Sequence, residues 1–433
     1  MDGLRTVTVL EHEVVPVVED GNVPSNAPEP PLTGIWLTEA EAQALVRLND
    51  LRPGFCKRVS GGVKLAQYCG VVRLQTCVLE VLPKVGMSED RTADELGNSR
   101  AALVTMLHNA HQVNITKVGA VPQQVVHAPL LDIFIEAFLH CALDQARRGL
   151  LCRYVPHTAD LPVVKGRFHA HGHVRSNLAR PHLLHCEYDE FTPDNQHNRA
   201  IRATLEACRT WVSRAQTRRL WFETYARFAS VSSTRMLAVD VMRLTRDRTT
   251  RRYEPVLIWC ELLLAIISPA ISAGTTQAPG LLFDMNKLFE AYVSGLEESA
   301  AGDSFVVYRQ GPVEALAKQG DENAFLLKPD ITVWSAAKDG TSAGIVRVLD
   351  AKWKRLDPRV TYWGVDPADL YQLLAYAMRY QCRNLELIYP VPGPTLPGVG
   401  TPPVFDIADS SLTLAGIRVL VRTVSLWASP SVS

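Results

Sequence analysis

The stretch FLLKPDITVWSAAKDGTSAGIVRVLDAKWKR, residues 325–355, decides the reading of this chain, and DPADLYQLLAYAMRY follows it at residues 366–380. Two strand-like runs flank Lys338-Asp339-Gly340, and Asp-Gly between alternating apolar runs is a strong hairpin signal. Asp330 and Asp350 stand equally far from Gly340, so a symmetric antiparallel hairpin sets them opposite each other. A longer or bulged loop shifts that register. On the second strand, alternation with period two points Asp350 and Lys352 the same way and Ala351 the other way. The apolar runs 325–327 and 345–349 lead to the two acids, where an unpaired charge is costly. The expectation is two carboxylates and one ammonium converging at the end of a sheet.

Two carboxylates held together repel, and a divalent cation relieves them. Such oxygen ligands suit Mg²⁺, which keeps several waters and takes one or two carboxylates plus substrate phosphate. Lys352 beside it can orient or help deprotonate an attacking water and offset charge in the transition state. The competing reading is a surface hairpin with a solvated Asp and Lys, because D-x-K alone is a common accident. P-D followed about twenty residues later by D-x-K is the signature of the PD-(D/E)XK nucleases, which this stretch resembles. In the next element, Asp366 with Pro367 forms a good helix start, and Leu370, Leu373, Leu374 and Ala377 supply an apolar stripe. Gln372 and Tyr376, spaced i, i+4, share a face. This Q-x-x-x-Y resembles the motif that follows the catalytic strand in RecB-like nucleases and lines their active site.

The chain has 433 residues, 47% of them hydrophobic, enough for two or three domains with sizeable cores. Lys plus Arg equals Asp plus Glu at 45 each, so any affinity for DNA comes from a local basic face or from another subunit. Nine cysteines without a C-x-x-C pair argue against a zinc ribbon or a disulfide framework and fit a reducing cytoplasm. The N-terminus lacks a signal-peptide layout. The most apolar run, 256–268, contains Glu261 and is bounded by Pro255 and Pro269; it is too short to span a membrane and reads as a buried helix. No G-x-x-x-x-G-K-[ST] loop is present, so no nucleotide motor of that kind is expected here.

The expected fold is α/β, α+β overall, in three parts. Residues 1–125 read as a β-rich docking domain with one helix at 38–51, strands at 63–65, 68–74 and 77–83, and a Pro/Asn-rich linker at 21–31. Residues 126–255 read as a helical and β middle region that contacts a partner GTPase, with helices at 129–150 and 195–215 and strands across 153–173. Within it, His169, His171 and His173 alternate and would share one strand face; a metal role there lacks a completing acid or cysteine. Residues 209–252 hold eleven arginines and no lysine, against Glu223, Asp240 and Asp247, which suits either phosphate contact or a solvated face. Residues 256–433 read as an endonuclease domain with the order α-β-β-β-α-β and a Pro/Gly loop at 390–403. Its first helix, 287–297, carries Glu290, which could join the metal site or simply face solvent.

Taken together, several segments identify a family. LLDIF and RRGL in 130–150, VVKGRF at 163–168, DNQHNRAIRATL at 194–205, FDMNKLFEAYV at 283–293, KPDIT at 328–332, VLDAKWK at 348–354, LYQLLAY at 370–376 and LIYP at 387–390 resemble the McrC family. These are nuclease subunits of GTP-dependent McrBC systems, which restrict modified DNA. The resemblance implies a Mg²⁺-dependent endonuclease in which Asp330 and Asp350 ligate the metal and Lys352 is the catalytic lysine. Gln372 and Tyr376 stand in the site beside them. The wider metal set is Asp330, Asp350, the intervening position Ala351, and Glu290. It also implies a partner, an McrB-type AAA+ GTPase hexamer that binds the GTP and is stimulated by this chain, acting on double-stranded DNA with modified cytosine. Two other classes remain: a stand-alone RecB-like repair nuclease, which has no need of the middle region, and a non-catalytic regulator, which has no need of the Asp330, Asp350, Lys352 set.

Overall fold

The computed structural model describes residues 5–18, 34–51, 53–85, 92–110, 128–212, 214–267, 280–336, 342–391, 400–407 and 416–426. The 21–31 linker, the 338–340 turn and residues 392–399 of the Pro/Gly loop lie outside them. The chain divides into two compact units, Met1–Leu130 with Thr275–Ser433, and Leu131–Gly274. These boundaries differ from the three parts expected from sequence, because β-pairing ties the two ends of the chain together.

In the first unit, the N-terminal part forms two four-stranded sheets. The larger holds β1 (Arg5–Leu10), and the smaller holds β2 (Val14–Val18), β3 (Leu37–Thr38), β4 (Cys56–Val59) and β5 (Gly62–Leu65). The larger continues with β6 (Tyr68–Arg73) and β7 (Cys77–Leu82), β1 lying parallel to β7. Helix α1 (Glu39–Leu51) starts with a capping box: Thr38 Oγ1 accepts from Glu41 N at 3.2 Å, and Glu41 Oε2 accepts from Thr38 N at 3.0 Å. Val7, Val9, Leu45, Phe55, Leu65 and Leu79 are buried together between these elements. A second helix, α2 (Ala93–Asn109), is capped by Thr92.

The second unit holds α3 (Leu130–Arg147), β8 (Arg153–Leu161), β9 (Arg167–Phe168), α4 (Ala170–Asn177), β10 (Leu184–Thr192), α5 (Gln196–Cys208), α6 (Ala215–Arg227), α7 (Ala238–Met242) and α8 (Glu254–Ile267). The apolar 256–268 run is indeed mostly a buried helix, α8. The DNQHNRA segment is a brace. Asn195 caps α5 by accepting from His197 N and Asn198 N. Asn195 and Asn198 both donate to Leu151 O, at 2.6 and 2.8 Å, and Tyr253 OH donates to Asn198 Oδ1 at 2.9 Å. The histidine expectation fails: residues 170–177 are helical, and His169 caps that helix by accepting from Gly172 N at 3.1 Å. The three histidines therefore do not alternate along a strand. Part of the arginine-rich stretch is consumed internally, since Arg214 pairs with Glu136, Arg246 with Glu261, and Arg252 donates to Gly149 O.

The chain re-enters the first unit with β11 (Gly280–Asp284), which pairs antiparallel with β6 as the fourth strand of the larger N-terminal sheet. It leads directly into α9 (Met285–Ala301), capped by Asp284 and packed against α2. Next come β12 (Phe305–Arg309), a separate hairpin of β13 (Glu314–Gln319) and β14 (Glu322–Leu327), then β15 (Ile331–Ala336), β16 (Ser342–Ala351), α10 (Pro367–Tyr380), β17 (Asn384–Val391), β18 (Val404–Asp406) and β19 (Arg418–Ser425). Six of these strands make one mixed sheet in the order β12-β15-β16-β17-β19-β18.

Alternation along the central strands separates the two sides of that sheet. Val348, Leu385, Leu387, Val419 and Val421 are buried with Leu373 and Ala377 of α10. The intervening residues Arg347, Glu386 and Arg422 meet Glu297 of α9 in a closed ring of ion pairs, with Arg347–Glu297, Arg347–Glu386 and Arg422–Glu386 each at 2.9 Å. Each buried carboxylate thus has a guanidinium partner, which burial of charge requires.

Candidate active site

The strand-like run before the 338–340 turn is broken in two. Phe325–Leu327 ends β14, and β15 starts only at Ile331. Pro329 lies between them; lacking an N–H and with φ fixed, it suits a chain leaving one ladder for another. Asp330 therefore precedes its strand. Ile331 pairs with Leu349, and the register shifts only farther along, between Val333 and Trp334 and again between Ser335 and Ala336. Continuing the undisturbed register by one residue sets Asp330 across from Asp350.

The side chains converge as that register dictates. Asp330 Oδ2 accepts from Ala351 N at 2.9 Å, so its carboxylate is held against the backbone between Asp350 and Lys352. Lys352 Nζ lies 2.6 Å from Asp350 Oδ2 and donates to Gln372 Oε1 at 3.1 Å. Gln372 Nε2 donates to Tyr376 OH at 2.7 Å, and Tyr376 OH donates to Lys328 O at 3.1 Å. The i, i+4 pair on α10 thus links Lys352 to the Lys328-Pro329-Asp330 turn. A cavity of about 360 Å³ opens alongside, lined in part by Lys287, Glu290, Gln310 and Asp330.

Burial and like charge set the electrostatics. Burial, then the charges of Asp350 and Glu290, push the Asp330 carboxyl up to about 8. Burial likewise raises Asp350, against the opposing charge of Lys352. Glu290 is raised by burial while hydrogen-bonded to Gln310, with Asp350 and Asp284 adding like charge. Burial alone would lower Lys352, but the charges of Asp350 and then Asp369 outweigh it and hold the amine above the usual lysine range. The carboxylates beside it favour the ammonium form of Lys352, which donates and neutralises.

The donor set fits a hard cation. Asp350 is buried, and Lys352 Nζ is the cation set against its Oδ2 at 2.6 Å. Asp330 is held near it at an elevated pKa, and a divalent ion would relieve both. Ala351 contributes its backbone N–H to Asp330 and buries its methyl. Among the described residues, no three His, Cys, Asp or Glu side chains are gathered tightly enough to ligate one ion. Glu290 therefore stands close enough to raise Asp330 without completing a three-acid cage.

One residue of the cluster escaped the sequence reading. Asp369 is buried on the first turn of α10, its Oδ1 3.3 Å from Lys352 Nζ, and its Oδ2 accepts from Lys354 Nζ at 3.2 Å. The spacing D-x-x-Q-x-x-x-Y puts Asp369, Gln372 and Tyr376 on one helical face, and that spacing was the available signal.

No described helix is long and apolar enough to cross a membrane, and no curated relative matches the sequence. Among solved structures, the chain is similar to one from the Thermococcus gammatolerans assembly of McrB AAA+ hexamers with bound McrC, at TM-score 0.67 and 17% identity, covering 98% of this chain and 96% of that one. It also matches a chain of the Thermococcus gammatolerans McrBC complex at TM-score 0.49 and 18% identity, covering 70% of this chain and 89% of that one. At such identity the first likeness speaks for a shared fold. The sequence itself matches the family model of the McrBC 5-methylcytosine restriction system component across residues 63–390, well over half its length. The chain belongs to that family.

Proposed function

We propose that this chain is the Mg²⁺-dependent endonuclease subunit of a GTP-driven, modification-dependent restriction complex, built on a PD-(D/E)XK core. The observation that carries the reading is the grouping of Asp330, Asp350 and Lys352 at one end of the β15–β16 pair, braced by Gln372. In this reading Asp330 and Asp350 would hold Mg²⁺, with the backbone of Ala351 between them and Glu290 as the further acid at the cavity. When bound, Mg²⁺ supplies Lewis-acid polarisation of the scissile phosphate and a water of lowered pKa. Lys352 acts as the cation that orients the attacking water and offsets phosphate charge. Tyr376 keeps Gln372 turned toward Lys352.

The partner in this reading is an McrB-type AAA+ GTPase hexamer, the kind of assembly in which the similar Thermococcus chain was solved. The N-terminal part docks on it, the middle region contacts it, and the chain stimulates its GTP hydrolysis; the DNA carries modified cytosine, and the complex works in the cytoplasm. A formal net charge of zero leaves the chain little sequence-independent attraction to phosphate, so the partner brings the DNA. The test combines full-length protein, the GTPase, GTP, Mg²⁺ and modified or unmodified DNA. Asp350→Ala and Lys352→Ala are expected to abolish cleavage with GTPase stimulation retained. Vigorous cutting by the isolated chain, unchanged by the GTPase, would replace this reading with a stand-alone repair nuclease.

A further inference from the structure

We infer that Asp369 is a positioning residue for cleavage, the carboxylate that keeps the Lys352 ammonium in place when Asp350 is engaged by a cation. The inference rests on the nuclease reading above. An ammonium has three N–H donors, and three oxygens surround this one: Asp350 Oδ2 at 2.6 Å, Gln372 Oε1 at 3.1 Å and Asp369 Oδ1 at 3.3 Å. Asp350 has the shortest contact but is also the group best placed to ligate an ion. A carboxylate whose charge is drawn to a divalent cation holds a neighbouring ammonium weakly, and the two cations repel. Gln372 is neutral and supplies no compensating charge. Asp369 alone of the three oxygen neighbours combines a negative charge with a place on a different element from Asp350.

Its surroundings keep it there. The side chain is 8% exposed. Its helix start is fixed one turn earlier by Asp366, which accepts from Ala368 N at 3.0 Å. Its second oxygen takes Lys354 Nζ, so Asp369 spans both lysines of the D-A-K-W-K run. Loss of the charge leaves Lys352 with neutral oxygens alone whenever Asp350 is occupied. An outer partner of this kind typically affects activity by roughly 10- to 100-fold.

The test has two independent readouts on the full-length protein. The first is labelling of Lys352 by an amine-reactive ester in saturating Mg²⁺, read by peptide mass spectrometry against exposed Lys57. Asp369→Asn is expected to speed Lys352 labelling roughly tenfold, the loss of one charge-assisted contact, and Asp369→Glu to restore most of the protection. The second is single-turnover cleavage with the GTPase, GTP and Mg²⁺. Asp369→Asn is expected to be roughly 10- to 100-fold slower, with the DNA concentration for half-maximal rate and GTPase stimulation unchanged. Unchanged labelling, unchanged cleavage, or full reproduction of both effects by Lys354→Ala each overturns the inference. If labelling responds as expected while the wild-type complex cuts no DNA, the nuclease reading fails and the Asp369 contact with Lys352 stands.

Discussion

The indole Nε1 of Trp353 donates to Glu11 Oε1 at 2.9 Å, across more than three hundred residues of chain. Trp353 follows Lys352 directly, and its ring meets Phe289, the neighbour of Glu290, at 5.5 Å between centroids. Glu11 lies just past β1 and accepts from Lys84 N at 2.9 Å. One buried carboxylate thus fastens the end of the candidate catalytic strand to the N-terminal sheet, and one indole fastens it to the helix carrying Glu290.

Glu11 is expected to give the fold a measurable pH dependence. Burial pushes its carboxyl up to about 7, against the backbone of Lys84 and the indole of Trp353. A folded-state pKa raised above the unfolded value near 4.5 means the native state binds the proton more tightly. Its contribution is therefore full below the unfolded value and is lost as pH climbs to about 7, a change of about 3 kcal/mol. Glu11→Gln keeps an acceptor for Trp353 and removes the titration. Denaturant melts of both proteins from pH 4.5 to 7.5 should show wild type losing stability relative to the variant as pH rises. Parallel curves would mean Glu11 titrates normally.

Asp330 is expected to cost stability until a cation binds. Its carboxyl, raised to about 8, makes the metal-free protein less stable as pH rises from about 4 to about 8, by the same sign as Glu11. Asp330→Asn keeps an oxygen for Ala351 N and removes the charge. At pH 8 without divalent ions the variant should melt above wild type. Adding Mg²⁺ at a hundredfold excess over its dissociation constant should stabilise wild type by about 2.7 kcal/mol and leave the variant unmoved. Equal shifts in both proteins would remove Asp330 from the ligand set.

Gln372 and Arg379 share helix α10 but have very different expected effects. Gln372 bridges Lys352 and Tyr376 inside the site. Arg379 pairs with Glu314 on the surface, the two side chains 47% and 41% exposed, and such pairs contribute at most about 1 kcal/mol. Gln372→Ala should slow single-turnover cleavage roughly 10- to 100-fold, and Arg379→Ala should change it less than about twofold. Similar small effects from both would reduce Q-x-x-x-Y to helix spacing.

The legibility of this site follows from how local its determinants are. Asp330, Asp350 and Lys352 were readable because strand alternation and one hairpin carry them, and the register near Ile331–Leu349 is undisturbed. Gln372 and Tyr376 were readable from helical spacing. Asp369 was hidden by its place on the first turn of α10, where an acid is ordinary helix-start chemistry. The Glu11–Trp353 bond had no sequence signal, since it depends on how two distant segments pack. The histidine run misled because alternation argues for a strand only if the backbone stays extended, and His169 instead caps a helix. The boundary at residue 256 misled because nothing in Gly280–Asp284 announces that it pairs with Tyr68–Arg73.

That last pairing yields the prediction most remote from the site. Gly70 sits in β6 at φ +141°, and a Cβ there would lie 2.0 Å from Leu281 O of β11. Backbone cannot move away as a flexible side chain can, so Gly70→Ala forces β6 and β11 apart. Strand β11 runs straight into α9, where Met285 N donates to Gln67 O at 2.9 Å, and α9 carries Phe289 and Glu290 to the site. Gly61, at φ +76° with nothing within 4 Å of where a methyl would sit, is the control: Gly61→Ala costs only the left-handed strain of about 1–2 kcal/mol. Gly70→Ala should cost more than about 4 kcal/mol, the range reserved for severe lesions. Denaturant midpoints of the two variants decide it. A Gly70→Ala protein no less stable than Gly61→Ala would mean β11 is not held against β6 as this fold requires.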